Sequence, residues 1–504
     1  MREQLPVLII VVPLLTALLS PLIAYFASKL VRFLGIVAVF TSLLCAVGVL
    51  RRVLTEGTWH YYFGNWLPPW GIEYVIDPLS GVMAVLVAFL SLLVLIYSGP
   101  FLREEGWLKK GIYYALYLLL TVGLLGMVIT GDVFNLYVFL EIASLSAYGL
   151  IAAGGDKATV SAFRYVLVGT VGASFYLLGV GYLYAITGSL NMADLAVRLQ
   201  PLMDSQAVLI ALVFILVGMG IKMALFPMHG WLPDAYTYAP PAVTPFISGA
   251  MTKVMVYVLF RYFLFIFGPT TGYVPIILEV LGWLAIIGII WGSVMAIAQS
   301  DLRRMLAYSS VAQVGYIALG LSLGNMLGFI GAIFHIINHG MMKSCLFLVT
   351  GGIKWKTGEH LLEKYAGLGR KMPLTMGAFL IAAFSMVGLP PTAGFFSKWY
   401  LILGALEKDL WLYLVVIILS SLLNAIYFFR VIEQAYLKKA PLESVSVNEN
   451  IACSVACVGY NKKELPLTIM VPLVVLGAGI LILGIFNEPL ISNILQYAFP
   501  GGGI

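Results

Sequence analysis

KMALFPMHGWLPDAYTYAPPAVTPFISGAMTKVMVYVLFR, residues Lys222 to Arg261, decides how this chain is read. The stretch lies between long apolar runs, which puts it at membrane depth, yet it holds two lysines (Lys222 and Lys253), His229, Asp234 and five prolines. An ionisable side chain inside a bilayer is costly and marks a functional site by default. Proline at that depth removes a backbone hydrogen bond and breaks a helix, which is tolerated only against protein or a water-filled cavity. A charge beside a broken helix is the sequence mark of an ion pathway.

Outward from this stretch the composition agrees. The 504 residues are 61% hydrophobic and 10% charged, whereas a soluble domain carries about 25% charged residues. The expected fold is all-α and polytopic, a single transmembrane domain over 1–504. About fourteen spanning helices are expected from runs of the necessary length. Helix 7 (roughly 207–238) is broken at Pro227, and helix 12 (roughly 374–406) at Pro390 and Pro391. The first apolar run, roughly 5–27, is longer than a signal-peptide core and reads as a retained first helix. Residues 437–466 are polar and aperiodic and read as a loop, followed by the last helix and tail, 467–504.

The formal charge of +6 does not call for nucleic acid, because Lys and Arg gather in cytoplasmic loops. Loops after odd-numbered helices hold about 19 of the 29 Lys and Arg. That places them in the cytoplasm and both termini outside the cell membrane; Arg51 and Arg52 run against the rule. Of the four cysteines, Cys45 and Cys345 fall in apolar helices, and Cys453 and Cys457 in the polar loop. Two thiols fall short of the four ligands of a structural zinc site, so a local disulfide or two free thiols is expected.

A faint repeat runs through the chain. Asp132 and Asp301 open helices 5 and 10, Tyr148 and Tyr316 close them, and Pro227 and Pro391 break helices 7 and 12. Five helices per unit is an odd number, so the second unit (275–436, helices 9–13) is inverted relative to the first (111–267, helices 4–8). Inverted repeats with paired broken helices are a transporter plan, with the site at their interface.

The candidate site residues follow from position. Glu141 lies mid-segment in FNLYVFLEIASLSAYGL; the alternative is a structural carboxylate pair. Lys222 stands five residues before Pro227, about 7.5 Å along a helix, and Lys398 follows the break in helix 12. Snorkelling to the interface is the alternative for both. His335, His339 and Lys343 recur every four residues in helix 11 and share one face; a buried row of satisfied polar groups is the bland alternative. Two His four apart also suit zinc, but no third carboxylate ligand lies on this helix. His229 and Asp234 cap the second half of helix 7 or line an access channel. The set is rich in Lys and His and poor in carboxylates. It offers few of the oxygens that a hard cation such as sodium needs, and it can pass protons by gaining and losing charge. Proton transfer is therefore the better reading.

At these residues the chain resembles the antiporter-like subunits shared by Mrp sodium/proton antiporters, respiratory complex I and membrane-bound hydrogenases. The resemblance spans helices 4 to 13. It includes the Glu141 segment, the opening stretch, DLRRMLAYSSVAQVGY, HIINHGMMKSCLFLVTGG and GLPPTAGFFSKWY, in that order. It implies a fourteen-helix fold with inverted five-helix repeats. It also implies a proton path along the membrane plane through Glu141, Lys222, Lys253, His335, His339 and Lys398, with Lys343 as an auxiliary member. The chain is most similar to the D-type subunit of Mrp antiporters and the matching hydrogenase subunit. It ends soon after helix 14, without the long lateral helix of the largest complex I type, and it has Lys398 where one complex I type has Glu.

The expected partners are other membrane subunits of an antiporter or redox complex, the lipid bilayer, and protons, with sodium handled through partner subunits. No cofactor, metal or nucleic acid is expected: there is no dinucleotide fingerprint and no cluster-binding cysteine set. Two other readings stand beside this one: a self-sufficient sodium/proton antiporter, and a haem or quinone oxidoreductase.

Overall fold

The computed structural model describes residues 2–438 and 464–499. Most of the 437–466 loop, with Cys453 and Cys457, lies outside the described residues. Thirteen described helices are long and apolar enough to cross a membrane. Helices 1 to 6 are Leu5–Phe26, Leu30–Glu56, Pro78–Tyr97, Trp107–Ile129, Val133–Ala152 and Asp156–Thr187. Helix 7 is Gln206–Met223 (7a), continued after its break by the short Leu232–Tyr238 (7b). Helices 8 to 11 are Thr244–Ile266, Val274–Ile297, Leu302–Ser322 and Met326–Thr357; helices 13 and 14 are Trp411–Leu437 and Leu467–Ile485. Helix 12 makes the fourteenth as two halves, Pro373–Val387 (12a) and Ala393–Glu407 (12b).

Polarity decides which helix sits at the centre. Helix 11 carries His335, Asn338, His339, Lys343 and Ser344, all without solvent exposure, and its most apolar stretch is wholly enclosed by protein. Facing lipid, each of these groups would be expensive. Helices 1, 6, 13 and 14 are apolar around most of their circumference and bury well under half of theirs. Helix 11 has 32 residues, about 48 Å at 1.5 Å per residue, against about 30 Å of hydrocarbon. Its last turn, with Lys354 and Lys356, therefore projects past the apolar layer.

Helix starts are set by side chains. Asp132 accepts from the backbone N–H of Phe134 (2.9 Å) and Asn135 (2.6 Å), and Asp301 from Arg303 (2.8 Å) and Arg304 (3.3 Å). Such an N-cap stabilises a helix by about 1 kcal/mol. The expectation that both aspartates open helices is met.

One element departs from an all-α reading. Strand β1 (Trp59–Tyr62) pairs antiparallel with β2 (Glu73–Ile76) between helices 2 and 3. Buried Glu73 fixes this hairpin to the helical body: it accepts from Asn191 Nδ2 at 2.6 Å and lies 2.8 Å from His60 Nδ1. Two four-residue strands between apolar runs carry too little periodicity to be told from a loop.

A second tie joins helices 3, 4 and 8. Asp77 accepts from Ser80 N at 2.8 Å at the head of helix 3 and from Arg261 Nη2 at 2.6 Å at the tail of helix 8. Arg261 Nε donates to Tyr257 Oη at 2.7 Å, and Tyr257 donates to the carbonyl of Val128 in helix 4 at 2.7 Å. This fork of charge-assisted bonds fixes the far end of the helix that carries Lys253.

Candidate functional site

The two breaks have the same construction. Helix 7a ends at Ala224, whose φ of +61° is left-handed, and helix 12a at Gly388, with φ +92°. Leu225 N donates back to Gly220 O at 2.8 Å, and Leu389 N to Phe384 O at 3.1 Å, the long-range bond of a Schellman cap. Pro227, Pro390 and Pro391 follow these caps, where proline cannot continue a helix, and none lies inside a helix. Trp231 Nε1 donates to Ile221 O at 2.8 Å and so satisfies a helix-end carbonyl beside the lysine.

A buried lysine stands beside each break, and each ammonium lies near a tyrosine ring. Lys222 stands two residues before its cap. Its Nζ donates to Ser144 Oγ (2.8 Å) and Tyr148 Oη (3.3 Å), lies 3.8 Å from Glu141 Oε1, and sits 5.8 Å over the Tyr148 ring. Lys398 stands after its break and reaches back. Its Nζ donates to the carbonyls of Met386 (3.0 Å) and Val387 (2.9 Å) and to Ser421 Oγ (2.9 Å), 5.0 Å from the Tyr316 ring. All three donors of the Lys398 ammonium are used, against the carbonyl end of helix 12a, where the macrodipole favours a cation. Lys222 and Lys398 are 0% and 4% exposed, which excludes snorkelling for both. The Glu141 side chain keeps 28% of its surface, and its Oε1, the oxygen nearer Lys222, is buried.

Lys253 and helix 11 are brought together by a local change of helix type that sequence periodicity missed. Residues Ile247–Met251 of helix 8 form a π turn, and α geometry resumes at Thr252. Such turns are frequent at functional sites. The Lys253 ammonium folds back to the Ser248 carbonyl of this turn and to Thr252 Oγ1 at 3.4 Å. Helices 8 and 11 touch through glycines. A Cβ on Gly249 would sit 3.1 Å from the Gly340 carbonyl and collide with Ser344 Oγ, whose hydroxyl donates to Pro245 O at 3.0 Å. Backbone approach through small residues is how membrane helices pack closely; here it sets helix 8, which carries Lys253, against helix 11 at Gly340, between His339 and Lys343.

The helix 11 row has uneven partners. Lys343 donates to Leu306 O at 2.7 Å and to Ser309 Oγ of helix 10. His335 lies 2.9 Å from Ser397 Oγ through Nδ1 and 2.9 Å from Gln313 Oε1 through Nε2. The rings of His335 and His339 stack with centroids 5.8 Å apart, and neither nitrogen of His339 meets a protein hydrogen-bond partner. The expected sharing of one face holds. The bland reading of a fully satisfied row does not fit His339. Among the described residues no group of three His, Cys, Asp or Glu is placed to hold a metal.

No hydrogen bond or ion pair joins Lys222 to Lys253 among the described residues. The contacts leading from one toward the other run through aromatics: Tyr148 meets Tyr165 edge-on at 4.6 Å, and Tyr165 Oη donates to Met251 Sδ at 3.9 Å. Asp234 neither caps helix 7b nor stands free. It pairs with Arg164 of helix 6 (2.9 Å) and Arg304 of helix 10 (3.3 Å), while His229 stacks on Phe226 at 5.5 Å. Cys45 and Cys345 are buried free thiols. Ser144, Ser397 and Gln313 were missed as site residues, because small neutral polar side chains carry no signal until their partners are known.

Residues 130–424 match the family described as "NADH:quinone oxidoreductase/Mrp antiporter, TM", and residues 67–109 match "NADH-Ubiquinone oxidoreductase (complex I), chain 5 N-terminus". The chain is 53% identical over 501 residues to the N-type subunit of the NADH-quinone oxidoreductase of Desulforudis audaxviator, covering 99% of each chain. It is 31% identical to the D-type subunit of the Na(+)/H(+) antiporter of Alkalihalophilus pseudofirmus, covering 93% of this chain and 92% of that one. The expected likeness to the D-type antiporter subunit is present, and identity to the N-type oxidoreductase subunit is higher. A chain of the Mrp complex from Dietzia sp. DQ12-45-1b superposes with a TM-score of 0.89 at 27% identity, covering 99% of this chain and 97% of that one. The chain belongs to the family of antiporter-like subunits of multisubunit membrane complexes, as its NADH-quinone oxidoreductase and antiporter relatives align with 93–99% of its length.

Proposed function

We propose that this subunit carries protons along the membrane plane through Glu141, Lys222, Lys253, His335, His339 and Lys398, with Lys343 beside the row. The observation that carries the reading is an imbalance of charge. Lys222, Lys253, Lys343 and Lys398 are all buried, yet among the described residues only Lys222 has a carboxylate within 4.0 Å. Several unpaired ammonium groups in a low-dielectric interior are too costly to be structural. Groups that shed and regain a proton avoid that cost, and lysine and histidine do so.

The driving force comes from partner subunits, by redox chemistry or by sodium exchange. Glu141, exposed at membrane depth, is the point where a partner acts. The two units, 111–267 and 275–436, work as an inverted pair, with Lys222 and Lys398 as their matching stations. The matching breaks and aspartate caps support this pairing. In vesicles holding the intact complex, Lys253→Met is expected to cut proton uptake by about a hundredfold, the scale of a lost acid–base group, while assembly stays normal. Normal uptake in that variant rejects the path. Full activity of the purified chain alone in vesicles favours a self-sufficient antiporter instead.

The Lys/Arg bias puts both termini outside and Cys453 and Cys457 in the cytoplasm. A membrane-impermeant thiol reagent added to intact cells, with Cys45 and Cys345 replaced, is expected to leave the pair unlabelled. Rapid labelling reverses the orientation.

A further inference from the structure

We propose that Gln313 holds one proton on Nε2 of His335, and so leaves Nδ1, beside Ser397, as the nitrogen through which His335 exchanges its mobile proton. The proposal rests on the reading above that His335 lies on that path. Gln313 and His335 are fully buried, on helices 10 and 11. Gln313 Oε1 lies 2.9 Å from His335 Nε2, and Gln313 Nε2 has no hydrogen-bond partner.

An amide oxygen only accepts, so the ring nitrogen facing it bears hydrogen. A neutral His335 then has its lone pair at Nδ1, where the Ser397 hydroxyl stands at 2.9 Å. That hydroxyl donates either to Nδ1 or to the Gly394 carbonyl 3.0 Å away. A proton arriving at Nδ1 gives an imidazolium with N–H at both ends; the hydroxyl turns to Gly394 and accepts from Nδ1, and Gln313 Oε1 still accepts from Nε2. The Nε2 proton cannot pass through the amide, because an amide oxygen is too weak a base to relay it.

The Nε2 proton therefore stays: the ring takes up a proton at Nδ1 and gives it back at Nδ1, returning to the Nε2–H form it started from. The other ionisable groups near His335 are Lys253 of helix 8, Lys398 of helix 12, Tyr316 of helix 10, whose ring is 5.6 Å away, and His339 of its own helix, whose ring is 5.8 Å away. None of them contacts Nε2, so Gln313 is the positioning residue for that nitrogen.

The test uses the intact complex in vesicles, with histidine labelled in the ring nitrogens. Infrared difference spectra distinguish the two neutral tautomers, and His335→Gln identifies the His335 band. The parent protein is expected to hold His335 as the Nε2–H form. Gln313→Leu removes both donor and acceptor; it is expected to mix the tautomers and to slow proton uptake about tenfold, one hydrogen bond's worth of rate. Gln313→Glu retains an acceptor oxygen and is expected to keep Nε2 protonated even if the Leu variant fails to fold. A parent spectrum of the Nδ1–H form overturns the proposal. So does a Gln313→Leu variant with the parental rate, or one that slows with an unchanged tautomer band. If His335→Gln itself pumps normally, the path reading fails. If His335→Gln abolishes uptake while Gln313→Leu matches the parent, the path reading stands and the role of Gln313 alone fails.

Discussion

Lys398→Ala is expected to abolish proton translocation while the complex still assembles. Lys398 is the basic group at the break of helix 12, and its ammonium bridges 12a and 12b by donating to Met386 O and Val387 O from the far side of Pro390 and Pro391. Removing it leaves the carbonyl end of 12a without its cation. The structural loss is modest, since a cation at a helix C-terminus contributes about 0.3–1 kcal/mol, up to about 2 kcal/mol when partly buried. The functional loss is total, because no other group that gains and loses a proton near neutral pH reaches this point; the hydroxyls of Ser421 and Tyr316 remain there and keep their protons. Lys398→Glu is expected to retain part of the activity, since a carboxylate also carries a proton. Proton uptake by reconstituted vesicles, with assembly checked by native electrophoresis, decides the matter. Normal transport in the Ala variant removes Lys398 from the path.

Glu141→Gln is expected to leave folding and assembly near normal and to reduce pumping strongly, and adding Lys222→Ala to it should make matters no worse. The two groups lie 3.8 Å apart. At an effective dielectric near 20 a pair at that separation interacts by about 4 kcal/mol, before a discount for the partly exposed Glu141. Moving one elementary charge against 100 mV takes about 2.3 kcal/mol. Opening and closing this one pair is therefore of the right size to load and unload Lys222 against a membrane potential. The geometry makes the switch one-sided. Lys222 is fully buried and held by Ser144 and Tyr148, whereas the Glu141 side chain is partly exposed and its buried Oε1 makes no hydrogen bond. Glu141 is the partner free to move, and a neighbouring subunit can reach it. The decisive measurement is a double-mutant cycle on pumping rate. Losses that simply multiply, or two single variants that pump well, end the idea of a coupled pair.

Much of this was legible in the chain itself. Long apolar runs required helices, because a bilayer leaves backbone groups no other partner. Charges and prolines inside those runs marked the candidate site, because such groups are costly at membrane depth. The same logic picked out Glu141, Lys222, Lys253, His335, His339, Lys343 and Lys398, and the four-residue spacing in helix 11 put three of them on one face. Tertiary structure alone decided how these groups are held. The π turn at Ile247–Met251 and the Gly249–Gly340 contact set where Lys253 points, and neither has a periodicity to read. Lys222 stands before its helix break and Lys398 after the other, so spacing along the chain could not align them. Asp234 proved to be an ion-pair joint between helices 6, 7b and 10, and Gln313 became a site residue only when His335 was found against it. Sequence records the cost of burying each group, which is local. The partner that offsets the cost comes from another helix, and only the packed bundle names it.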